Sequence, residues 1–173
     1  MSTSLYDALV PSWLQILGAL SGLIDKAEAH CRSRDVDPSI LLNARLALDM
    51  RPLAYQVKAS TLHSIGAINS ARDGRFILSP SKDPNSFDDC RRGIGATIAD
   101  LSALNSTEVD ALRGRDLVFD VGSYQARYLA EEFLLSFSVP NFYFHATTAY
   151  GILRAQGVAI GKIDYLGKLR QKA

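Results

Sequence analysis

Apolar residues recur at intervals of three and four near the start of the chain: Leu9, Trp13, Ile16, Leu17, Leu20 and Ile24. That spacing is the stripe of an amphipathic helix, predicted from Ser4 or Pro11 to about Arg32. Proline is tolerated in a first turn but interrupts an interior ladder, so Pro11 either begins this helix or bends it. Asp37-Pro38, a capping residue followed by proline, opens a short turn through about Ala44. A second long helix is predicted from about residues 49–52 to Arg72, with Leu53, Val57, Ile65 and Ile68 as its stripe and Asp73-Gly74 as its stop. Residues 74–86, rich in Ser, Pro and Asp, read as a flexible loop. Ser86 with Asp89 three positions later resembles a capping box and starts a third helix, from Phe87 to about Leu104. Residues 105–114 form a connector, with one turn beginning near Thr107.

The period then changes. Residues 117–121 and 124–129 flank Gly122-Ser123 and read as a small β-hairpin. A lone hairpin is only marginally stable, so this one must pack on the helices. A fourth helix follows from about Ala130 to Gln156, kinked or restarted by Pro140 and stopped by Gly157. Residues 133–153 contain no Asp, Glu, Lys or Arg. Such a segment is the central helix of a core or a membrane span, since a surface helix carries charge on its outer face. Its length would cross a bilayer, but Ser136, Ser138, Pro140, Asn141, His145, Thr147 and Thr148 lie where polar groups cost most. The flanks, Glu131-Glu132 on one side and a single Arg154 on the other, give only thin basic anchoring. It reads as a core helix. The fold class expected is all-α: one domain over residues 1–173, an antiparallel four-helix bundle with a small β-hairpin before the last long helix, and a basic tail over residues 162–173.

Composition changes this picture little. A chain of 173 residues fits one domain, and 47% apolar with 21% charged residues is ordinary for a globular protein. A net charge of +1 gives no electrostatic reason to expect nucleic acid or an anionic membrane as partner. Cys31 and Cys90 lie far apart, which disfavours a disulfide framework or a cysteine-rich metal knot. The apolar stretch over residues 8–24 is preceded by Asp7 and by no Lys or Arg, unlike a signal peptide. A reduced, cytoplasmic protein is expected.

Candidate chemistry centres on histidines. On the second helix His63 lies nearly opposite the apolar stripe, yet its face (Gln56, Ala59, Ser60, Gly66, Ala67, Ser70) is small and uncharged. A face of that kind suits a lined cavity or a close helix contact, whereas plain exposure would bring Lys and Glu. On the fourth helix His145 shares a face with Asn141, Thr148, Ala149 and Ile152; the plain alternative is a core histidine hydrogen-bonded to a neighbour. His30, between Glu28 and Arg32 near a helix C-terminus, reads as a surface residue. Gly93-Ile94-Gly95 lacks the rest of a dinucleotide fingerprint, and no G-x-S-x-G elbow occurs.

Several landmarks occur in order along the chain: Ser4-Leu5-Tyr6-Asp7, Pro11, Asp25-Lys26-Ala27-Glu28-Ala29, Asp49-Met50-Arg51-Pro52-Leu53, Pro140-Asn141-Phe142-Tyr143-Phe144-His145, Thr147-Thr148-Ala149-Tyr150, Gly161-Lys162 and Tyr165-Leu166-Gly167. With these the chain resembles an uncharacterised bacterial family of DinB-like proteins, in the superfamily that includes the YfiT type. The resemblance implies a four-helix bundle, often a homodimer, whose metal-binding members use three histidines. One stands on the second helix and two stand one turn apart on the fourth. His63 and His145 match the first two positions, and Ala149, without a donor atom, falls at the third. Imidazoles four residues apart project from one helix face and can share an ion, so the loss of one leaves a weak site. Asp49 is a candidate replacement ligand; Gln56, Asn141, Thr148 and Tyr150 complete the candidate pocket. Three readings follow. The first is a non-catalytic or small-ligand-binding homodimer. The second is a metal-dependent thiol transferase or hydrolase using Zn or Ni on His63 and His145, assisted by Tyr143, Tyr150 or Asp49. The third is an assembly module.

Overall fold

A computed structural model of the chain describes residues 3–78 and 81–172. Helix α1, Leu5–Arg34, starts where Ser4 Oγ accepts the Asp7 amide at 3.0 Å. The Asp110 carboxylate accepts the Leu5 and Tyr6 amides at 2.7 and 3.2 Å. These three bonds matter because the first amides of a helix have no partner within it. The helix therefore starts before Pro11, which lies inside it. By length and composition α1 could cross a membrane, but here Leu9, Trp13, Leu17, Leu20 and Ile24 are buried in the core. Asp37 caps the short α2, Pro38–Asn43, by accepting the Ser39 amide at 2.8 Å.

The second long helical run has three parts: α3, Leu53–Thr61; a π-helical turn, Leu62–Gly66; and α4, Ala67–Asp73. Gly74, at φ 71°, ends it in the left-handed conformation that glycine adopts without a Cβ penalty. Helix α5, Phe87–Ala103, is capped by Ser86, whose Oγ accepts the Asp89 amide at 3.0 Å; the return bond expected of a capping box goes instead from the Asn85 amide to the Asp89 carboxylate at 3.3 Å. The connector holds α6, Ser106–Asp110. The last run comprises α7, Ala130–Glu132, a π-helical segment, Phe133–Ser138, and α8, Val139–Ala155, with Pro140 in the first turn of α8. The run is continuous through the π-helical segment, so Pro140 lies inside it and its missing amide takes one donor out of the ladder where the π-helical geometry ends. The charge-free stretch is thus packed in the bundle: Phe133, Leu134, Phe142, Ala146, Ala149, Ile152 and Leu153 are all buried.

Two expectations need correction. The stretch over residues 74–86 is not loop throughout, because Arg75–Ile77 forms strand β1. It pairs in parallel with β2, Asp116–Val121, which pairs antiparallel with β3, Tyr124–Leu129. The predicted hairpin is therefore two-thirds of a three-stranded mixed sheet. Three residues are too few to show an alternating pattern. Here the strand is fixed by one inward side chain, Phe76, in register with Phe119. The basic tail likewise contains a helix, α9, Lys162–Leu166. It is tied to α1 by Lys26–Asp164 at 2.6 Å and by Gln15 Nε2 donating to the Leu166 carbonyl at 2.8 Å.

Candidate functional site

Helices α3 and α8 face each other at the heart of the bundle, and this contact brings His63 and His145 together. Their ring centroids are 5.6 Å apart, with planes 12° from parallel. His63 is 4% exposed and His145 9%. The π-turn that carries His63 holds one more residue per turn than an α-helix, a local change often found where a side chain must be re-aimed. It also moves Ile65 out of the full burial that Leu53, Val57 and Ile68 share. The small face read in the sequence is buried: Gln56, Ala59, Ser60 and Ala67 lie in the interior with His63. Its hydroxyls are spent on their own helix, Ser60 Oγ donating to the Gln56 carbonyl and Ser64 Oγ to the Ser60 carbonyl, both at 2.9 Å. Gln56 and the two imidazoles are what remains for recognition.

Gln56 fixes the protonation of His145. Its Nε2 donates to the Arg51 carbonyl at 2.8 Å, and a carbonyl can only accept. The amide oxygen therefore faces His145 Nδ1, at 2.7 Å, and that nitrogen must be the donor. In the neutral ring the lone pair then sits on Nε2. His63 has no such partner: its Nδ1 is buried without a hydrogen bond among the described residues.

An aromatic wall closes the site on the His63 side. Phe76 stacks on His63 at 5.8 Å, and Phe137 meets it edge-on at 5.5 Å. Phe76 in turn packs on Phe119 at 5.5 Å and Phe133 at 5.1 Å, so the sheet and the second π-helical segment both serve this wall. Burial in so apolar a setting disfavours the charged ring. It holds the pKa of His63 down at about 3, helped by repulsion from His145, and that of His145 at about 4. Both rings are neutral at physiological pH.

Of the other candidates, Ala149 is fully buried and Thr148 buried on α8. Asp49 is exposed in the connection before α3, with no bond or ion pair to either histidine. Asn141 turns back on its own helix, Nδ2 donating to the Phe137 carbonyl at 2.8 Å. Tyr150 packs on Tyr165 of α9 at 5.9 Å. Two rings on one tetrahedral zinc, each nitrogen about 2.1 Å from it, would have centroids about 5 Å apart, so the spacing suits an ion. The donor count does not. A catalytic zinc takes three protein ligands and a structural one four, and no group of three or more His, Cys, Asp or Glu suited to a metal occurs among the described residues. Among the described residues, His63 and His145 therefore have no third His, Cys, Asp or Glu beside them to complete a zinc centre.

A cleft of about 400 Å³ adjoins the pair, lined by Arg51, Tyr55, Lys58, Leu62, Leu78 and Asp83 among others. Tyr55 belongs to both places, since its ring also meets His145 edge-on at 5.9 Å. Sequence reasoning passed over this cleft. Arg51, Tyr55, Lys58 and Leu62, at spacings of four, three and four, were the available signal for its helical wall. Nothing in the sequence tied Asp83 to them.

No curated protein is significantly similar to the chain. A crystal structure of a DinB family member protein from Shewanella denitrificans superposes with a TM-score of 0.83 at 31% identity, over 98% of this chain and 95% of that one. The family model described as a domain of unknown function, DUF1993, matches residues 5–166. The chain belongs to that family, within the DinB/YfiT-like superfamily of helical bundles.

Proposed function

We propose that the protein is a non-catalytic, small-ligand-binding module of the bacterial cytoplasm that acts as a homodimer. The observation that carries this reading is the paired, neutral imidazoles of His63 and His145, with Ala149 where a third donor would stand. Two uncharged rings under an aromatic wall offer polar recognition without a Lewis acid or a base poised near neutral pH. The ligand's seat is the cleft beyond Tyr55, the residue through which occupancy reaches His145. Exposed Leu48 and Phe144 supply apolar surface for the dimer.

The test is elemental analysis of protein purified without chelator, with light scattering for its mass in solution. Metal far below one ion per chain and a dimeric mass are expected. One zinc or nickel ion per chain, lost in both His63→Ala and His145→Ala, would overturn the reading.

That result would favour a second one, a metal-dependent thiol transferase or hydrolase. Its support is the buried Nδ1 of His63, without a hydrogen bond among the described residues, and the lone pair that Gln56 leaves on Nε2 of the neighbouring His145 ring.

A further inference from the structure

The cleft beside the histidine pair has a charge pattern that the pair itself does not explain. Arg51, Lys58 and Lys82 line it against one carboxylate, Asp83. The three cations are held differently. Lys58 is committed: its ammonium lies 2.9 Å from Asp83 and donates to the Ser81 carbonyl, and its side chain is only 17% exposed. Arg51 is positioned but unspent. Its guanidinium carbon sits 4.4 Å from the centroid of the Tyr55 ring, a cation–π contact that positions the group without using its N–H donors. Its one carboxylate neighbour, Asp83, is 3.9 Å away, beyond hydrogen-bond reach, and its guanidinium donates to no acceptor among the described residues. Lys82, also lining the cleft and exposed, forms no ion pair among those residues.

A guanidinium held over a ring with its donors unused, and an exposed ammonium lining the same cleft, suit the two oxygens of a carboxylate. Bare inorganic anions would use the charge but not the walls, where Ala59, Leu62 and Leu78 present apolar surface. The volume falls in the range of small-molecule pockets. We infer that this cleft binds a small organic carboxylate, its oxygens on Arg51 and Lys82 and its apolar body against Tyr55, Leu62 and Leu78. The inference rests on the ligand-binding reading above and names the class of ligand.

Titration of the full chain with hexanoate, hexanamide and inorganic phosphate, followed through the Tyr55 and His145 resonances, tests it. Hexanoate should bind with both resonances shifting, and hexanamide and phosphate should bind at least about tenfold more weakly. Arg51→Gln and Arg51→Lys should each weaken hexanoate about tenfold and Lys82→Gln by a smaller factor, with melting temperatures unchanged because both side chains are exposed. Equal binding of hexanoate and hexanamide, or no effect of Arg51→Gln, would remove the anion preference and leave a neutral-ligand pocket standing. Phosphate binding as tightly as hexanoate would remove the role of the apolar walls. No binding by any of the three would defeat both this inference and the reading beneath it.

Discussion

Acid should destabilise this protein well above the range where its carboxylates titrate, and the histidine pair should be the cause. An ordinary imidazole titrates near 6.5, whereas burial holds His63 at about 3 and His145 at about 4. Because the folded-state values are depressed, the unfolded chain takes up protons first. Stability is therefore complete above about pH 6.5 and is lost as pH falls from there toward 3 to 4. At pH 5 an unfolded imidazole gains about 2 kcal/mol from protonation that the buried ring forgoes, or about 4 kcal/mol for the pair. That is a large part of the roughly 5–15 kcal/mol that holds a domain together. Asp37, Asp88, Asp120 and Asp164 are also held below their ordinary 3.8 by hydrogen bonds. Their contribution is lost only at lower pH, so it leaves the interval from 7.5 to 5 clear.

The assay is urea unfolding at pH 7.5 and 5.0, after chelator treatment so that no ion masks the titration. His63→Phe extends the aromatic wall and removes one titrating ring, so it should cut the pH-dependent loss by about half, to roughly 2 kcal/mol. Any fixed cost of the substitution cancels when the two pH values are compared. Nitrogen shifts of the imidazoles at pH 5 give an independent check: both rings should be neutral, with the proton of His145 on Nδ1. If His63→Phe lost as much stability as the wild type between the two pH values, the neutral-pair reasoning would be wrong.

Four shorter predictions follow from the same geometry. Ala149→His places a third imidazole one turn from His145; a zinc site of micromolar affinity would then add about 2.7 kcal/mol at a hundredfold excess over Kd, and a folded variant with no zinc-dependent rise in melting temperature would count against the shared face. Phe76→Ala should cost about 3–5 kcal/mol in urea unfolding and raise the pKa of His63, since it opens the wall on that ring; an unchanged His63 titration would show that the wall is not what desolvates it. Gln56→Met should release the tautomer of His145, seen as a mixture in its nitrogen shifts, and an unmixed Nδ1–H form would mean that something else sets it. Gly74→Ala, at φ 71°, should cost about 1–2 kcal/mol by thermal melting; no loss would mean that the turn relaxes freely.

The parts of the fold legible in the sequence are those whose signal is local and repeated. The stripe of α1, the Asp37-Pro38 and Ser86 starts, the Gly74 stop and the hairpin around Gly122 each depend on residues close along the chain. The elements missed depend on distant partners. Strand β1 exists because Phe76 reaches Phe119 and Phe133, and α9 is anchored through Asp164 to Lys26. Pro140 was legible as a disturbance, but the π-helical segment lies just before it. A regular 100° count through residues 53–72 was only partly valid, because the π-turn adds a residue between Thr61 and Ala67.

The site was legible in the same uneven way. That His63 lay on a small, uncharged face was visible from spacing. That it lay against His145 required the α3–α8 contact, which no spacing within either helix specifies. The chemistry of the pair then turns on Gln56, named only as pocket lining, because its amide can satisfy the Arg51 carbonyl in one orientation alone. The same segment of backbone thus does two things: the Arg51 carbonyl orients Gln56 and, through it, His145, while the Arg51 side chain lies on Tyr55 at the cleft. A ligand that draws the Arg51 guanidinium off Tyr55 would disturb the ring that touches His145 and the residue whose carbonyl sets its tautomer. Two routes then run from cleft to histidine pair, one through the Tyr55 ring and one through the Arg51 carbonyl and Gln56, and the Tyr55 and His145 resonances should move together in every variant that keeps Arg51.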